Sequence, residues 1–413
     1  MNPVSAERFL LTSERDVVLS GERLVAEYRL ACTGAEARAL AEAICVEQTV
    51  EFPRDLLPPG DIAGPIVGAV ESMRDVGDGS THLRVSFAAE VAGNSLSQLL
   101  NVLLGNISIL PGIKLLDFEL PASMLSRFRG PRLGRSGLRK RTGVFGRPLL
   151  CSALKPMGLS AKDFGQLAYE LALGGMDLIK DDHGLEDQAF CRFEDRVEAA
   201  AAGVARANEE RGGRCLYLPN VSGEARTCLE RVRRAIALGA TGLLVSPGLT
   251  GFDALRQLAE EPAFDVPIVA HPALLGSFVV HRDGGIAHGA LFGKILRLAG
   301  ADATIFPTYG GRFSFSETDC RALVEATGEK MGEVAPSFPV PAGGMTLERV
   351  PEMVEFYGED VILLIGGALH RRADLASACR EFRSRVGTSA VSLRDCSVPS
   401  NARKIRSLVE RLG

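Results

Sequence analysis

The sequence from Gly174 to His183, Gly-Gly-Met-Asp-Leu-Ile-Lys-Asp-Asp-His, ends a short apolar run with four ionisable residues. The apolar run predicts a β-strand, in which successive side chains alternate between the two faces. Lys180 and Asp182 should therefore project the same way, with Asp181 on the opposite face. A buried charge is costly unless it is paired or bound to metal. The pattern favours a catalytic or metal-binding cluster, with a structural lysine–aspartate pair at a strand end as the alternative.

Two more ionisable residues follow apolar runs in the same way. Lys155 precedes Pro156, whose fixed backbone holds the lysine at the strand's mouth, where a desolvated amine can serve as acid or base. His271 follows Ile-Val-Ala and brings a titratable imidazole to a strand end. The ordinary alternatives are a lysine extended to solvent and a core histidine bonded to backbone. The remaining histidines fall on predicted helices or loops and are not expected to be ligands: His82, His281, His288 and His370.

Glycine pairs follow the last two predicted strands, at Gly343–Gly344 and Gly366–Gly367. Backbone N–H groups can approach phosphate oxygens closely where no Cβ intervenes, and barrels commonly bind phosphate at these two loops. The loop over 307–312 contains two further glycines and ends in Arg312, whose guanidinium suits a phosphate or a carboxylate. Together these residues predict a phosphate-binding cavity.

From residue 148 onward, short apolar runs alternate with amphipathic stretches of helical period. The predicted strands are Pro148–Leu154, Met176–Lys180, Cys215–Pro219, Gly242–Ser246, Pro267–Ala270, Ala303–Phe306, Phe338–Pro341 and Val361–Ile365. The predicted helices are Ala161–Leu173, Phe193–Glu210, Ala225–Leu238, Asp253–Glu260, Ile286–Leu298, Ser316–Glu325, Leu347–Phe356 and Arg372–Val386.

Eight strands that each precede a helix favour a closed parallel (β/α)₈ TIM barrel over residues 131–390. An open doubly wound sheet is the competing architecture, but no Gly-x-Gly-x-x-Gly follows the first strand. In a barrel the chemistry lies where strands end and loops begin. The clustered ionisable residues occupy those positions.

Residues 1–130 predict a smaller N-terminal α+β (ferredoxin-like) domain, and residues 391–413 a C-terminal helical tail. The N-terminal prediction depends on two strands and two helices: Leu24–Ala31, Leu83–Ala88, Ala35–Cys45 and Ser95–Leu104. In the tail, Asn401–Leu412 is predicted to be helical.

Composition excludes several classes of protein. The formal net charge of −4 offers no electrostatic basis for binding nucleic acid or an anionic membrane. No apolar run is long enough to span a bilayer, and the N-terminus lacks the apolar core of a signal peptide. Nine scattered cysteines without a Cys-x-x-Cys pair fit neither a disulfide framework nor a zinc ribbon. We therefore expect a cytoplasmic enzyme with reduced thiols.

The order of these motifs resembles that of the large subunit of RuBisCO across the whole barrel. The matching motifs are Lys-Pro-x-Gly-Leu-Ser from Lys155, Gly-Gly-x-Asp-x-x-Lys-Asp-Asp from Gly174, Gly-Leu-Thr-Gly-Phe over 248–252, His271, Leu-Arg-Leu-Ala-Gly-Ala-Asp over 296–302, and the two glycine pairs.

The resemblance implies a homodimer whose active site lies between the barrel of one chain and the N-terminal domain of the other. On that analogy Glu47 and Asn106 reach the site from the partner. The resemblance further implies that CO₂ carbamylates Lys180, so that this residue, Asp182 and His183 hold Mg²⁺.

Several departures from the carboxylating members concern CO₂ addition and the second phosphate. His183 replaces a glutamate, and imidazole binds Mg²⁺ poorly, so either fewer protein ligands hold the magnesium or a softer metal is preferred. Met157 replaces a lysine and Pro272 an arginine. The mobile-loop lysine corresponds to Arg312, and a serine of the phosphate loop corresponds to Ala342. The resemblance is therefore to the RuBisCO-like proteins, without carbon fixation.

The chain retains the residues that the resemblance implies for enolisation: Lys155, Lys180, His271 and the phosphate-binding glycine loops. The combination is most similar to the isomerases of 5-methylthioribulose 1-phosphate in methionine and sulfur salvage. Alternatives within the family are enolisation of a diketo phosphate, and decarboxylation, transcarboxylation or hydrolysis of 3-oxo sugar-acid phosphates from apionate breakdown. A catalytically inactive regulatory homologue is the alternative of a different class.

Overall fold

The computed structural model of this chain describes residues 18–57, 62–311, 313 and 315–395. Arg312 and the tail, including the predicted helix Asn401–Leu412, lie outside the described residues. None of the described helices is long and apolar enough to cross a membrane.

The N-terminal part is a sheet covered by helices. Its elements in chain order are β1 (Arg23–Leu30), α1 (Gly34–Glu47), β2 (Ala69–Asp75), β3 (Thr81–Ala88), α2 (Leu96–Leu104) and β4 (Ile113–Glu119). Strands β4-β1-β3-β2 pair antiparallel in that order, so the chain runs β-α-β-β-α-β, as in ferredoxin-like domains. In β1, alternate side chains are buried against the helices, as the strand's period requires.

The sequence predicted β1, β3, α1 and α2 but missed β2 and β4. Strand β2 lies at the sheet edge and is exposed along most of its length, so it carries no apolar alternation to recognise. Three short 3₁₀ turns and one π-helical turn complete this part: Arg54–Leu56, Ala89–Ala92, Asn106–Ile109 and Ile62–Ile66.

The rest of the chain alternates parallel strands and helices. The strands are β5 (Leu149–Leu154), β6 (Leu178–Asp181), β7 (Leu216–Leu218), β8 (Leu243–Val245), β9 (Ile268–Ala270), β10 (Gly285–Ile286), β11 (Ala303–Pro307), β12 (Phe338–Ala342) and β13 (Ile362–Leu364). The helices are α3 (Ala122–Leu125), α4 (Gly134–Thr142), α5 (Ala161–Leu173), α6 (Phe193–Arg211), α7 (Ala225–Ala237), α8 (Pro247–Thr250), α9 (Phe252–Glu260), α10 (Gly276–Val279), the π-helix Gly289–Ile295, α11 (Leu296–Leu298), α12 (Glu317–Gly328), α13 (Val350–Tyr357), α14 (Gly367–His370) and α15 (Leu375–Asp395).

Each of the eight predicted strands of this half is present, and their hydrogen bonds form two four-stranded parallel sheets. One has the order β13-β5-β6-β7 and the other β12-β11-β9-β8. Between β7 and β8 the described residues show one isolated parallel bridge, from Asn220 to Leu244. The α/β alternation is therefore confirmed, whereas the ladders show two sheets and not one closed ring.

Several predicted helices differ from the structure, and α13 begins at Val350, three residues after its predicted start at Leu347. The stretch Ile286–Leu298 is not one α-helix: Ile286 lies in β10, which pairs parallel with β4, and a π-helix follows before α11. Gly285 has φ of 82°, which allows the chain to leave the preceding turn and join the N-terminal sheet. The final helix begins at Leu375, three residues after its predicted start at Arg372.

Asp302 is fully buried next to β11. It connects the start of the strand-helix half of the chain to β9. Its Oδ1 accepts hydrogen bonds from the N–H groups of Leu133 and Gly134, both at 2.7 Å. Its Oδ2 accepts one from the Ile268 N–H at 2.8 Å. One carboxylate therefore satisfies three buried backbone donors.

We predict that Asp302→Asn lowers the free energy of unfolding by about 1–3 kcal/mol, because the amide has one acceptor oxygen and leaves a buried N–H without a partner. Urea titration followed by circular dichroism measures the change. Asp360→Asn is the matched control, since Asp360 is half exposed in its ion pair with Arg139 and should cost less than about 1 kcal/mol. Equal losses in the two variants would contradict the role of Asp302.

Candidate active site

The carboxyl ends of the parallel strands surround a cavity of about 1120 Å³. Nine of the residues predicted from the sequence line it: Lys155, Lys180, Asp182, His183, His271, Gly343, Gly344, Gly366 and Gly367. They come from five different strand ends, so the fold brings together residues up to 212 positions apart in the chain. Active sites of (β/α) enzymes are assembled in this way.

Lys180 is the most buried cation of the cavity wall, with 4% of its surface exposed. Its Nζ donates a hydrogen bond to the main-chain oxygen of Asp181 at 3.0 Å, and it forms no ion pair with a described carboxylate. Burial lowers the pKa of the Lys180 ammonium, partly offset by nearby anionic groups such as Asp182. The structural lysine–aspartate pair considered as the alternative is thus not formed by Lys180.

Asp182 lies between two of the predicted site residues. Its Oδ1 is 3.5 Å from Lys155 Nζ and 3.6 Å from His183 Nδ1. Burial by itself would raise the pKa of the Asp182 carboxyl, but the nearby His183 imidazole and the charges of Lys180 and Lys155 outweigh it and hold that pKa well below its usual range. Asp182 is therefore a carboxylate facing the cavity.

The two cavity histidines stack on each other, with ring centroids 4.3 Å apart and planes inclined by 10°. Burial lowers the pKa of His271 to about 2, assisted by the charge of Lys180 and by His183. The Ala273 N–H donates to His271 Nδ1 at 3.2 Å, which leaves the ring proton on Nε2. His271 is therefore a neutral hydrogen-bond donor at ordinary pH.

Asp181 lies on the opposite face of β6, as the alternation predicts. It is fully buried, and its Oδ2 accepts a hydrogen bond from Nε of the equally buried Arg196 at 3.1 Å. Arg196 extends from α6, so the ion pair joins the strand to the helix that covers it. The two faces of one short strand therefore carry separate sets of charges.

The glycine pair after β12 has backbone conformations that favour glycine, with φ of 75° for Gly343 and 85° for Gly344. A Cβ on Gly344 would lie 2.7 Å from the Gly311 Cα, so the loops after β11 and β12 touch through glycines. A Cβ on Gly366 would instead lie 4.0 Å from Lys155 Nζ. The second glycine pair therefore leaves its main-chain atoms unobstructed next to Lys155.

The two arginines that line the cavity, Arg371 and Arg372, follow α14 and were not predicted from the sequence. His370 Nε2 donates a hydrogen bond to the Ala153 carbonyl oxygen at 3.1 Å and so fixes this turn to β5. Arg372 Nη2 lies 3.6 Å from Glu381 Oε2, whereas Arg371 forms no ion pair with a described carboxylate. The signal available in the sequence was an arginine pair five residues after Gly366.

Glu47 and Asn106 do not line the cavity of their own chain. Gln48 brings them to the same edge of the N-terminal part, because its Nε2 donates to two carbonyls of α2 and its Oε1 accepts the Ile107 N–H at 3.2 Å. Both residues are exposed there. Arg312 lies outside the described residues, so its predicted place over the cavity stays a prediction.

Within the part of the chain that the structure describes, no three His, Cys, Asp or Glu side chains are grouped closely enough to hold a metal ion. A cation site in the cavity therefore needs a ligand of another type beside Asp182 and His183. Lys180 is the neighbouring side chain on the same face of β6.

Comparison with known proteins places this site in a family. The model for the ribulose bisphosphate carboxylase large chain, catalytic domain, matches residues 134–410. Ribulose bisphosphate carboxylase-like protein 1 of Rhodopseudomonas palustris is 44% identical over 84% of this chain and 93% of its own length. The 5-methylthioribulose-1-phosphate isomerase of Rhodospirillum rubrum is 42% identical over 86% of this chain and 93% of its own. The crystal structure of a Rubisco-like protein from Rhodopseudomonas palustris superposes with a TM-score of 0.81 at 42% identity, covering 88% of this chain and 97% of that one.

We predict that Gly344→Ala lowers the free energy of unfolding by at least about 1 kcal/mol, because an L-residue is strained at this φ and its Cβ would meet the Gly311 backbone. Gly367→Ala is the matched control, since nothing lies within 4 Å of its added Cβ, and it should change stability by less than about 0.5 kcal/mol. Thermal unfolding of both variants gives the comparison. The contact between the two loops would be disproved if both alanines were tolerated equally.

Proposed function

The chain belongs to the RuBisCO large-chain family, among its RuBisCO-like members, and from this premise we propose that it isomerises a phosphorylated ketose, 5-methylthioribulose 1-phosphate, in methionine salvage. The reaction is metal-dependent enolisation without fixation of CO₂. The observation that carries the proposal is the convergence of Lys155, Lys180, Asp182 and His271 on one cavity that also holds two glycine pairs.

The donor set fits a divalent cation once Lys180 is carbamylated. An unprotonated amine is the form that adds CO₂, and Lys180 is buried with no ion pair to any carboxylate that the structure describes, which favours that form. The carbamate replaces a cation by an anion beside Asp182, so that these two residues would hold Mg²⁺ with oxygen ligands. His183 Nδ1, directed to Asp182, would be a third ligand for a softer metal.

A bound cation would polarise the carbonyl oxygen of the substrate. Lys155, at the mouth of β5 and 3.5 Å from Asp182, is the group that would move the proton at the adjacent carbon. His271 would donate its Nε2 proton as a hydrogen bond to a substrate oxygen, since its ring is neutral. Reprotonation at the neighbouring carbon completes an isomerisation without loss or gain of atoms.

The phosphate of the substrate would lie between the glycine loops after β12 and β13. Open backbone at Gly366, with Lys155 Nζ near it, supports this assignment. Arg371 adds a cation at the same end of the cavity that lacks a described carboxylate partner. A dianion is best held where N–H groups and a guanidinium converge.

The departures from carboxylating members support isomerisation over carbon fixation. Pro272 and Ala342 line the cavity where the resemblance implies an arginine and a serine in the carboxylases, so neither can bind a second phosphate through a polar side chain. Met157 and His183 stand in the positions of a lysine and a glutamate. A substrate with one phosphate and an apolar end fits these changes.

A homodimer that completes the site is part of the proposal. Glu47 and Asn106 lie together at an exposed edge, and the nearby Ile109 and Leu110 are exposed apolar residues, with 83% and 40% of their surfaces accessible. Apolar side chains in such positions are typical of an interface. The edge would cover the cavity of a second chain and bring Glu47 and Asn106 to its substrate.

We also infer a closed eight-stranded barrel and a cytoplasmic location. The strand orders β13-β5-β6-β7 and β8-β9-β11-β12 follow one another around a ring, which supports closure of the barrel. The bridge from Asn220 to Leu244 supports the join between β7 and β8. Eight described cysteines are free thiols, most of them buried, which supports a reducing compartment.

The proposal is tested by incubating the protein with 5-methylthioribulose 1-phosphate, Mg²⁺ and bicarbonate in D₂O and following the C–H signals by NMR. We expect exchange and isomerisation, and a ¹³C carbamate signal from labelled bicarbonate. Lys180→Met should lower turnover by at least about 10³-fold without lowering the melting temperature, because it removes a buried amine that forms no ion pair with a described carboxylate.

Lys162→Met, at an exposed position of α5, is the control and should retain full turnover. Stoichiometric release of CO₂ from a 3-oxo sugar-acid phosphate would identify a decarboxylase instead. Normal turnover in Lys180→Met, or a carbamate signal that persists in it, would remove the basis of the mechanism.

For Arg371→Ala we predict a KM for the phosphorylated ketose that is about 10–100-fold higher, with kcat changed less than about threefold, because one charge-assisted contact to the phosphate is lost in both ground and transition states. Arg372→Ala is the matched control, since its guanidinium is near Glu381, and its KM should rise less than about threefold. Steady-state kinetics measures both. A fall in kcat at constant KM would assign Arg371 to the chemical step instead.

A further inference from the structure

The turn that follows β6, Asp182–Glu186, is hydrogen-bonded at every main-chain carbonyl. The first, third and fifth carbonyls accept from the Leu185 N–H at 3.0 Å, from Gln188 Nε2 at 2.8 Å and from Arg196 Nη1 at 2.8 Å. The second and fourth both accept from the side chain of Asn220. Five consecutive carbonyls satisfied in a short irregular segment indicate a turn with one conformation.

Asn220 is the residue that holds this turn from another strand. Its Nδ2 donates to the carbonyls of His183 and Leu185, at 3.0 and 2.9 Å, and only 2% of the residue is exposed. Its Oδ1 accepts the Ser222 N–H at 3.2 Å. Both ends of the amide are therefore used, and its orientation is determined by its partners.

The backbone of Asn220 is itself held on both sides. Its N–H donates to Asp181 Oδ2 at 3.1 Å, beside the Nε of Arg196. On the other side it forms the bridge to Leu244 of β8. The side chain thus projects from a rigid part of the wall, the condition under which a supporting residue can determine the geometry of a site.

We propose that Asn220 is a positioning residue for the cavity ligands, holding the turn so that Asp182 and His183 face Lys180. It touches neither substrate nor the reacting atoms, and it acts through the carbonyls on either side of Gly184. The role of Asp182 and His183 rests on the proposed function. Residues of this kind change metal affinity and turnover about 10–100-fold when they are replaced.

The experiment measures Mn²⁺ binding by electron paramagnetic resonance, in the presence of bicarbonate, together with kcat and KM for the ketose phosphate. Asn220→Ala should weaken Mn²⁺ binding and lower kcat each by about 10–100-fold. Both measurements are made well below the melting temperature, so that loss of folded protein does not contribute.

Tyr217→Phe is the matched control, because the Tyr217 hydroxyl donates to Asp181 Oδ1 at 2.8 Å in the same buried network but does not contact the turn. It should lower the melting temperature, yet leave Mn²⁺ affinity and kcat within about threefold of wild type. If Asn220→Ala does not fold, Gln188→Ala is used instead. It removes two side-chain hydrogen bonds of the turn, the one donated to the Gly184 carbonyl and the one accepted from the Glu186 N–H, and it should weaken Mn²⁺ binding up to about tenfold.

Mn²⁺ affinity and kcat that are unchanged in Asn220→Ala, or in Gln188→Ala where that variant is used, would overturn the positioning role while leaving the proposed function intact. Asn220-dependent Mn²⁺ binding in a protein that converts no ketose phosphate would instead overturn the function and support the positioning role. Wild-type protein that binds no Mn²⁺ with bicarbonate would overturn both.

Discussion

The buried ion pair between Asp181 and Arg196 is the constraint on which the site depends. Both residues are fully buried, and separating them would leave an uncompensated charge in the layer between β6 and α6. A shift of β6 by one residue would move Asp181 into the cavity and bring Lys180 toward the helix layer. The pair therefore determines which charges of the Lys-Asp-Asp run face the cavity.

In the cavity, burial favours the neutral form of some side chains, whereas nearby charges keep another side chain ionised. Lys180 and His271 lose affinity for protons because they are buried, whereas Asp182 stays ionised because cations and an imidazole surround it. One wall thus combines an amine favoured in its neutral form, a neutral imidazole and a carboxylate. These are the protonation states that the proposed carbamate, substrate contact and bound cation would require.

The remaining parts of the site come from loops whose geometry is set by backbone contacts. Gly311 and Gly344 let the loops after β11 and β12 touch, and His370 ties the turn before Arg371 to β5. The exposed edge with Glu47 and Asn106 lies on the N-terminal part, away from the cavity of its own chain. In the proposed homodimer, this edge would bring those two residues to the cavity of a second copy.

The sequence by itself determined the eight parallel strands of the second half, the main helices between them and nine of the residues that line the cavity. Both follow from local patterns, because apolar runs define strands, and burying the charges placed after them is costly unless a partner or a metal ion compensates. Likewise, Lys180 and Asp182 could be assigned to one face from alternation alone. The motif order was also sufficient to indicate the family.

Only the tertiary structure decided what depends on contacts between distant segments. The pairing of β10 with β4 has no local signal, because it depends on a neighbour far along the chain. The stacking of His183 on His271 also depends on contacts between distant segments. The same is true of the hydrogen bonds from Asn220 to the carbonyls of His183 and Leu185. Sequence periodicity reports which side of an element is buried, whereas the partner buried against it is chosen by the packing of the whole chain.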